Sequence, residues 1–165
     1  MTIRDATVDD LDEILTLVRE LAEYEREPDA VVFERDEFAR HLFGPSPVAS
    51  ALIAEHDGAV AGMALYYRTF STWLGRDGIW LEDLFVRPEY RRHGYGRSLL
   101  DALRARTGGR VEWSVLDWNT PAHEFYRALS AAPVEGWTIW RWETTARRPD
   151  GSGAPSRPKD DGITQ

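Results

Sequence analysis

Residues 80–96 read WLEDLFVRPEYRRHGYG, an apolar strand that runs into a basic glycine loop and opens a helix. A strand and a helix joined in this way each have one apolar side to bury, so they must pack in layers. The loop Arg91-Arg92-His93-Gly94-Tyr95-Gly96 precedes a helix whose Leu99, Leu100 and Leu103 share one face. A helix N-terminus behind small residues and positive charge is a ready anion site, because its free N–H groups and its dipole point at the ligand. Two carboxylates, Glu82 and Asp83, lie just upstream, followed by the strand end Leu84-Phe85-Val86. The stretch predicts chemistry beside a bound phosphate. Strand geometry adds a condition: adjacent residues point to opposite faces, so the two acids share a pocket only if the sheet bulges.

The rest of the chain supplies a sheet for this strand. Residues 2–5 read as a short first strand, and Thr7 with Asp10 forms a capping-box pattern. Leu11, Ile14, Leu15, Val18, Leu21 and Ala22 recur at helical spacing, which predicts a helix from about Val8 to Tyr24. A second helix is expected over about Glu34–Phe43. Ala49–Glu55, Ala59–Phe70 and about Gly78–Val86 read as an antiparallel meander, with His56-Asp57-Gly58 as a hairpin turn. A helix over Gly94–Arg106, a strand over Arg110–Leu116, a helix over Thr120–Leu129 and a final strand over Trp137–Thr144 complete the series. The order β-α-α-β-β-β-α-β-α-β predicts an α/β (α+β) fold, a mixed and mostly antiparallel sheet with helices on both faces. Residues 1–144 are expected to form one domain. Residues 145–165, rich in Pro and Gly, hold too little apolar surface to offset their ordering entropy and read as a disordered tail.

Composition excludes several functions. A formal net charge of −8 lacks the basic footprint of a nucleic-acid binder and suits a small cationic partner. Without cysteine there is no disulfide, thiolate metal site or cysteine nucleophile. His41, His56 and His123 show no metal-ligand spacing, so no metal is expected. No secretory core or run of 18 apolar residues appears, so neither a membrane span nor a membrane partner is expected, and the location is expected to be cytoplasmic.

Arg91-x-x-Gly94-x-Gly96 after a strand resembles the acetyl-CoA loop of the GCN5-related N-acetyltransferase (GNAT) superfamily. Further segments are similar to its diamine (spermidine/spermine) N-acetyltransferase branch. They are Glu20-Leu21-Ala22-Glu23-Tyr24-Glu25, Tyr66-Tyr67, Trp73-Leu74-Gly75, Leu81–Val86, Trp118-Asn119-x-Pro121, Phe125-Tyr126 and Glu135-Gly136-Trp137. The resemblance spans about residues 2–143.

It implies that acetyl-CoA is the cosubstrate and that a small aliphatic amine, a diamine or polyamine, receives the acetyl group directly in a ternary complex. A protonated alkylamine has a pKa near ~10.4 and no free lone pair at neutral pH. A proton must therefore leave, the nitrogen must meet the carbonyl, and the departing thiolate must be protonated. By resemblance, Tyr126 is the general acid and Glu82 the base, acting through water. Asp83 binds the cationic substrate, Glu25 with Tyr24 receives its distal ammonium, and Trp137 walls the aliphatic part through cation–π and apolar contact. The backbone of Arg91, Arg92, His93, Gly94, Tyr95 and Gly96 would cradle the pyrophosphate, with Arg91, Arg92 or His93 pairing its charge. Leu84, Phe85 and Val86 would line the pantetheine arm. Asn119 resembles a CoA-contacting position and equally suits a helix N-cap.

Two departures stand out. Ser130 occupies a helix end where the family usually has glycine, a costlier left-handed position for serine. Ala131–Glu135 is a few residues short, which touches the substrate pocket. The resemblance also implies a homodimer. The competing readings are a thialysine or amino-acid side-chain N-acetyltransferase, a non-catalytic CoA-binding regulatory domain, and a protein acetyltransferase with an open groove.

Overall fold

The structure, a computed structural model, describes residues 1–142. It divides into two units, Met1–Ser130 and Ala131–Gln165. The first contains β1 (Thr2–Asp5), α1 (Leu11–Tyr24), α2 (Arg35–Phe43), β2 (Ser50–His56), β3 (Ala59–Ser71), β4 (Arg76–Val86), α3 (Tyr95–Arg104), β5 (Val111–Glu112) and α4 (Thr120–Ala128). The sheet order is β1-β2-β3-β4-β5, antiparallel throughout except for the parallel pair β4–β5.

Alternation along the strands builds two cores, one on each face. Leu52, Ala54, Ala64, Tyr66, Ile79 and Leu81 pack with Leu99, Leu100 and Leu103 of α3. Ala51, Ile53, Met63, Leu65 and Phe85 pack with Ile14 and Leu17 of α1 and Leu42 of α2. A five-stranded sheet with helices on both faces is thus the direct consequence of two buried faces and three amphipathic helices.

Local chemistry sets several boundaries as expected. Asp57 (φ 50°) and Gly58 (φ 85°) both adopt the positive φ of a two-residue hairpin turn. Thr7 and Asp10 form the capping box, and Arg4 grips Asp10 with two bonds of 2.7 Å. At the other end of α1 the N–H of Glu27 donates to Ala22 O (2.9 Å) and that of Arg26 to Glu23 O (3.1 Å). That is a Schellman motif with Arg26 at its left-handed position. Arg87 ties α1 to the end of β4 through Glu13 (2.7 Å) and Glu20 (2.8 Å).

Two expectations change. β5 is only Val111–Glu112, not Arg110–Leu116, because it pairs with β4 at Ile79 and Trp80 alone and the chain then leaves the sheet. No strand forms over 137–142 in the second unit. There Glu135-Gly136 makes a turn with Gly136 at φ 80°, and Trp140 and Trp142 are exposed. Residues 143–144 of that strand, and the tail 145–165, lie outside the described residues. Among the described residues no helix is long and apolar enough to cross a membrane.

Candidate active site

The site begins with a bulge. Leu65 of β3 pairs with Asp83, but the next residue, Tyr66, pairs with Leu81, which leaves Glu82 as the extra residue. Cross-strand partners share a face. Tyr67 and Leu65 lie two apart on β3, so their partners Trp80 and Asp83 lie on one face of β4 although they are three positions apart. Trp80 Nε1 donates to Glu82 Oε2 at 2.9 Å, which holds Glu82 on that same side. The geometric condition on the acid pair is therefore met by this irregularity.

Burial pushes the Asp83 carboxyl up to about 7, with Glu82 and then Glu25 adding to the rise. Glu25 is itself raised by burial. Asp83 feels both neighbouring carboxylates, so its surroundings form an acidic well. The last turn of α1 carries no basic residue, and its carbonyl end adds negative potential beside Glu25. A primary ammonium is the complement of this well. Among the described residues no group of three or more His, Cys, Asp or Glu is placed to hold a metal.

Tyr126 of α4 reaches the same neighbourhood. Burial, then Glu25, pushes its phenol up to about 12. Its ring packs 4.8 Å from Trp113 and 5.2 Å from Phe125. Such a phenol stays protonated at neutral pH and is available as a donor. Asn119 is buried and caps α4, accepting from Ala122 N at 3.3 Å. Its Oδ1 also accepts from Tyr24 OH at 3.0 Å. Asn119 and Tyr24 are thus tied to each other, joining the end of α1 to the start of α4.

The candidate anion site is the start of α3. Gly94 is the left-handed N-cap (φ 88°), and an added Cβ there would meet nothing within 4 Å, so its surroundings are open. The N–H groups of Tyr95, Gly96 and Arg97, in the first turn, lack intrahelical acceptors. Gly96 has a different duty: a Cβ would come within 3.1 Å of Phe125 Cζ, so its smallness lets α3 and α4 pack. The Tyr95 side chain is buried, with its hydroxyl 2.5 Å from His56 Nδ1, which leaves only its backbone for a phosphate. Arg91 turns inward, donating from Nε to Val86 O at 2.8 Å, with its guanidinium 5.0 Å from the Tyr24 ring. Arg92 and His93 remain exposed to meet phosphate charge.

Beyond Trp80 the β5 side of β4 has no strand partner among the described residues. Leu81–Val86 therefore offers open backbone that leads from the acids towards the loop. An extended pantetheine arm fits such an edge by adding strand-like hydrogen bonds, and the α3 N-terminus fits a pyrophosphate. Trp137 belongs to the second unit and is exposed. Four residues had no role assigned from sequence: Trp80, Tyr67, Trp118 and Arg87. Only the pairing of Tyr67 with Trp80, and the stacking of their rings at 6.5 Å, reveals the first two.

A bulged sheet, an open strand edge, a glycine-capped helix and an acidic well together define an acyl-CoA-dependent amine acyltransferase. Residues 10–130 match the family model of the acetyltransferase (GNAT) family. The chain belongs to that family, whose members use acetyl-CoA, and it is an N-acetyltransferase. It is 38% identical over 161 residues to the thialysine N-epsilon-acetyltransferase of Bos taurus, covering 88% of this chain and 94% of that one. It is 31% identical over 154 residues to the spermidine/spermine N(1)-acetyltransferase-like protein 1 of Homo sapiens, covering 85% of this chain and 22% of that one. A solved aminoglycoside acetyltransferase from an uncultured soil metagenomic sample has a TM-score of 0.72 at 15% identity, over 87% of this chain and 95% of that one. At that identity the likeness is one of fold alone.

Proposed function

We propose that the protein transfers an acetyl group from acetyl-CoA to the terminal primary amine of a small diamino acid of the thialysine type. The acidic well of Glu25, Glu82 and Asp83 is the observation that carries this reading. The substrate enters as an ammonium, held by Asp83 and Glu25. Glu82, exposed on the bulge, takes the leaving proton through water. The freed lone pair forms the N–C bond at the thioester carbonyl, the C–S bond breaks, Tyr126 donates its proton to the departing thiolate, and the second proton leaving the acylated nitrogen restores the Tyr126 hydroxyl. Arg92, His93 and the α3 N-terminus hold the pyrophosphate, and the open edge Leu84–Val86 holds the pantetheine arm. Two copies of the chain form a dimer. The names of the similar proteins of Bos taurus and Caenorhabditis elegans, both thialysine N-epsilon-acetyltransferases, favour the amino-acid substrate. A diamine or polyamine is the second reading, since three carboxylates also suit a substrate with two ammonium ends.

Free-thiol release from acetyl-CoA with thialysine, lysine, ornithine, putrescine and spermidine tests the assignment, with a no-amine control for hydrolysis. Thialysine should give the highest kcat/KM. A preference for spermidine would move the protein to the second reading.

A further inference from the structure

An amino acid differs from a diamine by its carboxylate, so an enzyme built for the former needs a cation at the far end of its acidic well. Several arginines near the site are already engaged. Arg87 binds Glu13 and Glu20, and Arg91 is bonded to Val86 O. Arg26 is different. Among the described residues it makes no ion pair, and its guanidinium lies 4.7 Å from the Trp118 ring centroid. It directly follows Glu25, whose charge raises both Asp83 and Tyr126.

Backbone conformation adds an independent observation. Arg26 holds φ 65° at the left-handed position of the Schellman motif, where glycine is the favoured residue. A long side chain there gains nothing for the helix end and carries a conformational cost. What the arginine does gain is a place beside Trp118. A guanidinium lying on an indole face keeps its in-plane N–H donors free, and those donors match a carboxylate fork. Trp118 is fixed in turn, because the next residue, Asn119, is bonded to Tyr24 and its own ring lies 6.4 Å from that of Tyr24.

We propose that Arg26, braced on Trp118, binds the carboxylate of the substrate at the outer end of the acidic well. This rests on the proposed amino-acid activity and deepens it. Acids inside and a guanidinium outside match an ammonium at one end of an alkyl chain and a carboxylate at the other. The same guanidinium repels the second ammonium of a diamine.

The test compares thialysine with its carboxamide, using the full chain and the variants Arg26→Gly and Arg26→Lys. Glycine suits the left-handed position, so Arg26→Gly should melt at or above the wild-type temperature. It should raise KM for thialysine at least tenfold with kcat nearly unchanged, and leave KM for the carboxamide unchanged or lower, since that ligand has no carboxylate to lose. Arg26→Lys, which keeps the charge without the fork, should fall between. Equal effects on acid and amide, or no effect on either, would overturn the anchor while leaving the amino-acid activity standing. A wild-type enzyme that acetylates spermidine but not thialysine would overturn both.

Discussion

The Asp83→Asn variant tests the acidic well through stability alone, independent of any substrate. Asp83 is lifted from an ordinary 3.8 to about 7 by burial and by its two acidic neighbours. Between those values the folded protein holds a proton that the unfolded chain has lost. Wild-type stability on this account is full below about pH 4 and declines as pH rises to about 7, after which it stays level. At ~1.36 kcal/mol per pH unit, the interval of about three units sets a ceiling of about 4 kcal/mol. Asp83 keeps some exposure, so water screens part of the charge and about 2 kcal/mol is the expected size. Asparagine keeps the shape without the charge. Urea unfolding of both proteins at pH 4 and pH 8 gives the difference of differences. The variant should match the wild type at pH 4 within a few tenths of a kcal/mol and exceed it by about 2 kcal/mol at pH 8. The same stability difference at both pH values would show that Asp83 titrates as an ordinary carboxylate, and the account of the well would fail.

Tyr126→Phe should lower kcat about 10²-fold with little change in the amine KM, since only the departing thiolate loses its donor; steady-state rates of thiol release check this. Asp10, which Arg4 holds down at about 2, contributes stability that is present above about pH 4 and lost as pH falls towards 2. Asp10→Asn should therefore cost about 2 kcal/mol at pH 7 and make acid unfolding less steep, read by circular dichroism across pH. Ser130 sits at φ 62° just after α4, so Ser130→Gly should add about 1 kcal/mol without altering rates, seen as a higher Tm. A neutral or negative shift there would mean that the serine hydroxyl repays the strain of its backbone.

Much of the fold was legible because its signals are local. The leucine spacing of α1, the Thr7–Asp10 cap, the Asp57-Gly58 turn and the glycine before α3 each depend on residues a few positions apart. The glycine-capped start of α3, the proposed anion site, was legible for the same reason, since it belongs to one turn of one helix. Tertiary structure decided what depends on distant partners. Whether Glu82 and Asp83 share a face turned on an extra residue in the pairing of β4 with β3, a property of two strands together. Arg91 and Tyr95 looked alike as loop residues, yet one is bonded to Val86 O and the other is buried against His56. The strands expected at 110–116 and 137–144 had suitable side chains, but β strands need a neighbour to receive their hydrogen bonds. β5 found one for two residues only, and residues 137–142 found none. The amino acids thus determined which elements form and where an anion is drawn. Packing across the sheet determined which charges meet, because that is set by register and burial rather than by distance along the chain.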